Sequence, residues 1–262
     1  MSERAAVLAQ GWGWRYAGRR RWATRRISFA IQPGERVLLL GGSGAGKSTL
    51  LSAMNGILGG DDEGEEEGHL LVDGVHPSRL HGRVGLVMQD PSSQVILERI
   101  GDDVAFGCEN LAVPREQIWP RVRAALDAVR LDLPLDHPTQ QLSGGQQQRL
   151  AIAGALAMQA GEDSAPAVLC LDEPTANLDP VGVREVREVI SSVVTDRRTT
   201  LIVVEHRVEV WAELVDRVIV LAPGGGLLAD GCPEEVFARH REELVAAGAW
   251  VPGADSGLRR RR

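Results

Sequence analysis

Cysteine, lysine and tyrosine are all scarce in this 262-residue chain. The three cysteines, Cys108, Cys170 and Cys232, are isolated and odd in number. Neither a disulfide framework nor a zinc site is therefore expected, and a reducing compartment fits. No apolar run approaches the roughly 18 residues of a membrane helix, so no bilayer span is expected. Residues 1–14 lack an apolar signal core. No internal repeat occurs at a period of about 20–50 residues, which excludes a solenoid or propeller. Positive charge is short as well. The 29 Lys and Arg face 36 Asp and Glu, leaving a net charge of −7, and no nucleic-acid partner is expected. Lys47 is the only lysine and Tyr16 the only tyrosine.

What remains is ordinary globular composition, 44% hydrophobic and 25% charged. At about 150 residues per domain the length predicts one or two domains. Strand-like and helix-like segments alternate, the pattern of an α/β domain with a largely parallel sheet. Arg36 to Leu40, Arg83 to Met88, Ala167 to Leu171, Thr200 to Val204 and Arg217 to Leu221 read as strands. Lys47 to Leu58, Gly145 to Met158, Pro180 to Val194 and an amphipathic Pro233 to Ala247 read as helices. Asp61 to Glu67 reads as a solvated acidic loop, and Ala222 to Gly226 as a turn. Between Pro91 and Met158 helical spacing takes over. Ile118, Val122, Ala125 and Val129 mark one face, with Pro120 predicting a start or kink. Arginines crowd residues 15–26 and close the chain at Arg259 to Arg262.

Gly41, Gly42, Ser43, Gly44, Ala45, Gly46, Lys47, Ser48 and Thr49 match G-x-x-x-x-G-K-[ST] between a predicted strand and a predicted helix, the context that motif requires. Glycines let the backbone wrap phosphates with its N–H groups turned inward. The helix N-terminus adds favourable partial charge. Lys47 is expected to bridge the β- and γ-phosphates and Ser48 to ligate Mg²⁺. Arginine serves everywhere else in the chain, and its broad fork would not thread this loop as a slim ammonium does.

Asp172 and Glu173 end an apolar strand. Asp172 suits Mg²⁺ binding and Glu173 suits polarising an attacking water. In isolation the pair would read as a polar strand end. Likewise Leu142, Ser143, Gly144, Gly145 and Gln146 alone would read as a helix cap. The order of phosphate loop, Gln89, Leu142 to Gln146, Asp172–Glu173, Asp179 and His206 changes both readings. It resembles the ATPase subunit of ABC transporters over nearly the whole chain.

That resemblance implies an α/β P-loop NTPase (RecA-like) core with an N-terminal antiparallel β part and an inserted helical subdomain. The expected boundaries are a core of about 1–91 and 159–230, a signature subdomain of about 92–158, and a C-terminal helix and tail over 231–262. It implies ATP as substrate with Mg²⁺ held by Ser48, Gln89 and Asp172. It also implies Glu173, His206 and Lys47 as catalytic groups, with His206 as the switch residue near the γ-phosphate. Leu142 to Arg149 resembles the signature loop, which contacts ATP held by a partner subunit. Asp179 belongs to the loop that crosses the dimer interface. Tyr16 resembles the aromatic that stacks on adenine, with Trp14 as a rival. Thr24 and Arg26 depart from the usual apolar and acidic residues, away from the phosphate chemistry. Glu205, His206 and Arg207 replace the commoner Thr-His-Asp.

Gln89 to Gln94, Gly101 to Gly107, Glu109 to Pro114 and Glu205 to Arg207 resemble the energy-coupling factor subgroup. There, two ATPase subunits serve a transmembrane coupling protein and a substrate-binding membrane protein, importing vitamins or Co²⁺/Ni²⁺. Glu98, Asp102 and Asp103 are expected to form an acidic groove for an arginine of the coupling protein. The resemblance places the chain peripherally on the cytoplasmic face of the cell membrane. Another ABC transporter type stays open, as do a soluble ATPase of nucleic acid or ribosomes and a catalytically dead subunit. The absence of a coiled-coil insert disfavours the soluble reading, and the intact Lys47, Asp172, Glu173 and His206 disfavour the dead one.

Overall fold

The computed structural model describes residues 5–59, 62–159, 168–246 and 248. The expected α/β fold is present. Among the described residues nine strands form two sheets. The first is antiparallel, with β1 (Val7–Tyr16) between β2 (Thr24–Ile31) and β4 (Gly64–Val72). The second has the order β5-β6-β7-β3-β8-β9. Its parallel strands are β3 (Arg36–Gly41), β5 (Val84–Val87), β6 (Val168–Asp172), β7 (Thr200–Val204) and β8 (Arg217–Leu221). The edge strand β9 (Leu227–Gly231) runs antiparallel to β8.

Residue parity assigns the two faces of this larger sheet. Val37, Leu39, Val168, Cys170, Ile202 and Val204 join one core cluster with helix α1 (Lys47–Met54) and the antiparallel sheet. Leu38, Leu40, Leu169, Leu171, Leu201 and Val203 join a second cluster, with the helices of the opposite face. Those helices include α2 (Ile100–Asn110), α3 (Arg115–Ala128), α4 (Gly144–Gln159) and α5 (Pro180–Val193). Burial on both faces explains why these strands read as continuous apolar runs. The short α6 (Val208–Trp211) follows β7, and α7 (Pro233–Arg239) and α8 (Arg241–Ala246) follow β9. Among the described residues no helix is long and apolar enough to cross a membrane.

Several expectations need correction. The acidic stretch is not a loop. Glu65, Glu66 and Glu67 lie in β4, registered opposite Arg15, Trp14 and Gly13 of β1. Glu65 pairs with Arg15, and Glu67 bonds Arg25 at 2.7 Å. Glu66 accepts from Trp12 Nε1 at 2.8 Å. Cross-strand partners thus offset the poor strand propensity of glutamate. The first helix stops at Met54 rather than Leu58. The α3 helix begins at Arg115 and passes through Pro120. The last predicted helix is interrupted at His240. The strand β9 was not anticipated, because this edge strand is only partly buried and its residues carry neither an apolar run nor a clear alternation. Asp61, Ala167, Ala247 and Arg259 to Arg262 lie outside the described residues.

Candidate ATP-binding site

The carboxyl ends of β3, β6 and β7 place the predicted groups together. From β3 the chain enters the loop Gly41 to Gly46 and then α1, which opens at Lys47. Gly46 has φ +95°, and a Cβ there would lie 2.7 Å from Ala23 O and 2.8 Å from Thr24 Cβ. Only glycine meets both conditions. Thr24 is therefore not remote from the phosphate loop. It is fully buried beneath it, with its hydroxyl unpartnered, and it packs there as an apolar residue would.

Lys47 is 9% exposed, and its ammonium donates to the carbonyls of Gly41 (2.8 Å) and Gly42 (3.3 Å). Burial lowers its pKa, against the opposing fields of Glu173 and Asp172. Parity puts Asp172 on the α1 face of β6, where its Oδ2 accepts from Ser48 Oγ at 2.9 Å. Burial pushes the Asp172 carboxyl up, opposed by the Ser48 bond and by Lys47. Glu173 breaks the strand at φ +48°. That conformation costs about 1–3 kcal/mol in a residue with a side chain. Its backbone N–H still donates to Val204 O at 2.8 Å. Its Oε1 lies 3.1 Å from His206 Nε2, and its Oε2 accepts from Gln89 Nε2 at 3.0 Å.

Ser48 hydroxyl, Asp172 carboxylate and the Gln89 amide make an all-oxygen donor set. That suits Mg²⁺, which keeps several waters and takes phosphate oxygens as further ligands. The Ser48–Asp172 bond already holds two of these oxygens within one ion's reach.

The two candidate aromatics differ in burial. Trp14 is 2% exposed and packed in the core, whereas Tyr16 is 38% exposed and packs edge-to-face on Trp14 with ring centroids 6.2 Å apart. The Tyr16 hydroxyl lies 3.2 Å from Thr49 Oγ1, beside the phosphate loop. Tyr16 is thus the ring with a free surface. A β-bulge between Gln10 and Gly13 shifts the register upstream of both rings.

Ser143 and Gln146 bond each other. Gln146 N donates to Ser143 Oγ at 3.3 Å, and Ser143 N donates to Gln146 Oε1 at 2.8 Å, a reciprocal cap of α4. Leu142 is buried beneath them. A Cβ on Gly144 or Gly145 would meet nothing nearer than 3.6 Å. Among the described residues, nothing within the chain requires glycine at either position. Asp179 caps α5 through Gly182 N at 2.7 Å. Gln89, Gly144, Gln148 and Asn177 line a shared cleft of about 150 Å³. The expected acidic groove does not form. Asp103 Oδ1 is taken by the backbone N–H groups of Ile96 and Leu97. Asp102 lines a cleft of mixed charge with Arg99 and Arg123, and that lining does not include the exposed Glu98.

One buried group was given no chemical role in the sequence reading, only a place in the subgroup pattern. Glu205 directly follows the apolar strand β7 as Glu173 directly follows β6. That parallel was its available signal.

A strand, a glycine loop and a helix opening on lysine, beside a strand-end carboxylate, define a P-loop nucleotide-binding protein. The ABC transporter family model matches residues 24–176, and the chain belongs to that family. The energy-coupling factor transporter ATP-binding protein EcfA1 of Listeria innocua is 36% identical over 239 residues, covering 91% of this chain and 82% of its own. The solved structure of cbiO1 from Clostridium perfringens, part of the ABC transporter complex cbiONQ, superposes with a TM-score of 0.77 at 34% identity. That match covers 92% of this chain and 93% of cbiO1. The ATP-binding cassette MJ0796, solved as a dimer in a post-hydrolysis state with ADP and phosphate, gives a TM-score of 0.70 at 25% identity. It covers 87% of this chain and 98% of its own.

Proposed function

We propose that this protein hydrolyses ATP to power a membrane importer of the energy-coupling factor type, attached peripherally to the cytoplasmic face of the cell membrane. The observation that carries the reading is the meeting of Lys47, Ser48–Asp172 and Gln89–Glu173–His206 at one edge of the sheet. The resemblance to EcfA1 and cbiO1 supports the narrower type.

In this reading the phosphate-loop N–H groups wrap the β- and γ-phosphates. The Lys47 ammonium exchanges its carbonyl partners for phosphate oxygens. Ser48, Asp172 and Gln89 would hold Mg²⁺, which would neutralise phosphate charge. Glu173 orients a water for attack on the γ-phosphate and takes its proton. His206 keeps the Glu173 carboxylate aimed. Tyr16 stacks on adenine. The signature residues Leu142 to Gln146 serve ATP bound by a second ATPase subunit, identical or paralogous, and Asp179 lies in the loop between the two. The bare Gly144 and Gly145 fit close approach by such an outside phosphate. The membrane partners are a transmembrane coupling protein and a substrate-binding protein, with a vitamin or Co²⁺/Ni²⁺ as cargo.

The test is ATP turnover of the purified chain, combined with its recovery from cells. Measurable turnover and co-purification with detergent-solubilised membrane proteins are expected. An active chain found without membrane partners would favour the soluble alternative, and an inert one the structural-subunit alternative.

A further inference from the structure

The roles above leave one buried carboxylate unused. Glu205 is 2% exposed. Its Oε2 accepts from Thr175 Oγ1 at 2.5 Å, and its Oε1 accepts from the backbone N–H of His206 at 2.9 Å. Both oxygens are held by neutral donors, a costly way to bury a carboxylate. Thr175 is itself fully buried and lies two residues beyond Glu173. His206 Nε2 in turn bonds Glu173 Oε1 at 3.1 Å, and Glu173 N–H donates to Val204 O at 2.8 Å. The bonds therefore close a ring through Glu173, His206, Glu205, Thr175 and the intervening backbone. A single hydroxyl at position 205 offers one oxygen. A carboxylate offers two, spaced to take both donors at once.

We propose that Glu205 is a positioning residue for hydrolysis, clamping His206 and the Thr175-to-Asp179 segment to each other so that His206 meets Glu173 in register. This rests on the ATPase reading and deepens it. Both Glu205 oxygens are already taken by protein donors, Thr175 Oγ1 and His206 N–H. It acts through His206 on one side and through the segment leading to the subunit interface on the other. Its loss should therefore slow the chemical step and leave the affinity for ATP.

The experiment compares the parent chain with Glu205→Ala, Glu205→Gln and Thr175→Val, reading kcat, KM for ATP and the melting temperature. Glu205→Ala should lower kcat about tenfold or more while KM stays within about twofold. Glu205→Gln should recover most of that loss, because its amide oxygen accepts from His206 N–H and its amide N–H donates to Thr175 Oγ1. Thr175→Val, which cuts one bond at constant shape, should fall between them. A folded Glu205→Ala with parental kcat overturns the proposal, as does a loss of kcat that only follows the loss of folded protein. If Glu205→Ala does not fold, parental kcat in Thr175→Val overturns it. A parent chain without turnover would instead overturn the ATPase reading itself.

Discussion

The two ends of the parallel sheet are built on opposite principles. At the amino ends of β3, β7 and β8 every charge named is matched. Asp216 takes both Arg36 (2.8 Å) and Arg197 (3.0 Å). Arg217 takes Asp230 at 2.5 Å and Glu35 at 3.3 Å, and Gly34 N–H donates to Thr200 Oγ1 at 3.0 Å. Burial pushes the Asp216 carboxyl up, but the Arg36 and Arg197 hydrogen bonds overcome it and hold its pKa far below the usual carboxylate range. At the carboxyl ends the charges of the phosphate site lack such guanidinium–carboxylate pairs. Among the described residues Lys47 has only loop carbonyls as hydrogen-bond partners and Asp172 is held by one hydroxyl, with its pKa raised by burial, while Glu173 sits in a strained conformation. One end spends its charges on holding the fold. The other keeps them poised for a ligand, the usual polarity of open α/β sheets.

Substitutions at three positions can break or sharpen that contrast. Glu173→Gln keeps the shape and removes the carboxylate at the strained end. Turnover should fall by about 10²–10⁴, with ATP still bound and the fold undisturbed. Near-parental turnover in a colorimetric phosphate assay would remove Glu173 from its role. At the opposite end, Asp216→Asn should lower unfolding free energy by about 2 kcal/mol and leave kcat alone. The depressed pKa fixes the sign of its pH dependence. The contribution is full above the ordinary carboxylate range and is lost as pH falls through and below it. Urea unfolding across that acid range should therefore show a flatter profile for the variant. A parallel profile would mean the Asp216 pairs carry no net stability. The smallest effect belongs to Tyr16. Tyr16→Ala should weaken ATP binding by about 1 kcal/mol, whereas Tyr16→Phe should keep the stacking surface. Calorimetric titration with ATP separates them, and equal affinities for both variants would exclude stacking.

The contrast also explains what could be read from the residue order. The phosphate loop is legible because its requirements are local. Close backbone approach needs glycine, and the anion needs a slim cation at a helix start. Strand parity then puts Asp172 on the face of α1, within reach of Ser48. The acidic strand β4 was misread because its glutamates are stabilised by Arg15, Trp12 and Arg25, partners distant in the sequence. Thr24 was set aside for the same reason, since only the folded chain brings it under Gly46. Asp103 looked available until the turn at Ile96 and Leu97 claimed its oxygen. Glu205 stood in plain view before His206, but a bond to Thr175 across two strands carries no local signature.

The central claim is that each ATP is closed between the phosphate loop of one subunit and Ser143 to Gln146 of another. Light scattering on Glu173→Gln, with and without Ser143→Arg, tests it most directly. With saturating Mg-ATP, Glu173→Gln should form pairs that are absent without nucleotide. Adding Ser143→Arg should abolish the pairs while ATP still binds at Lys47. A Ser143→Arg chain that stays monomeric and hydrolyses ATP at the parental rate would contradict the account.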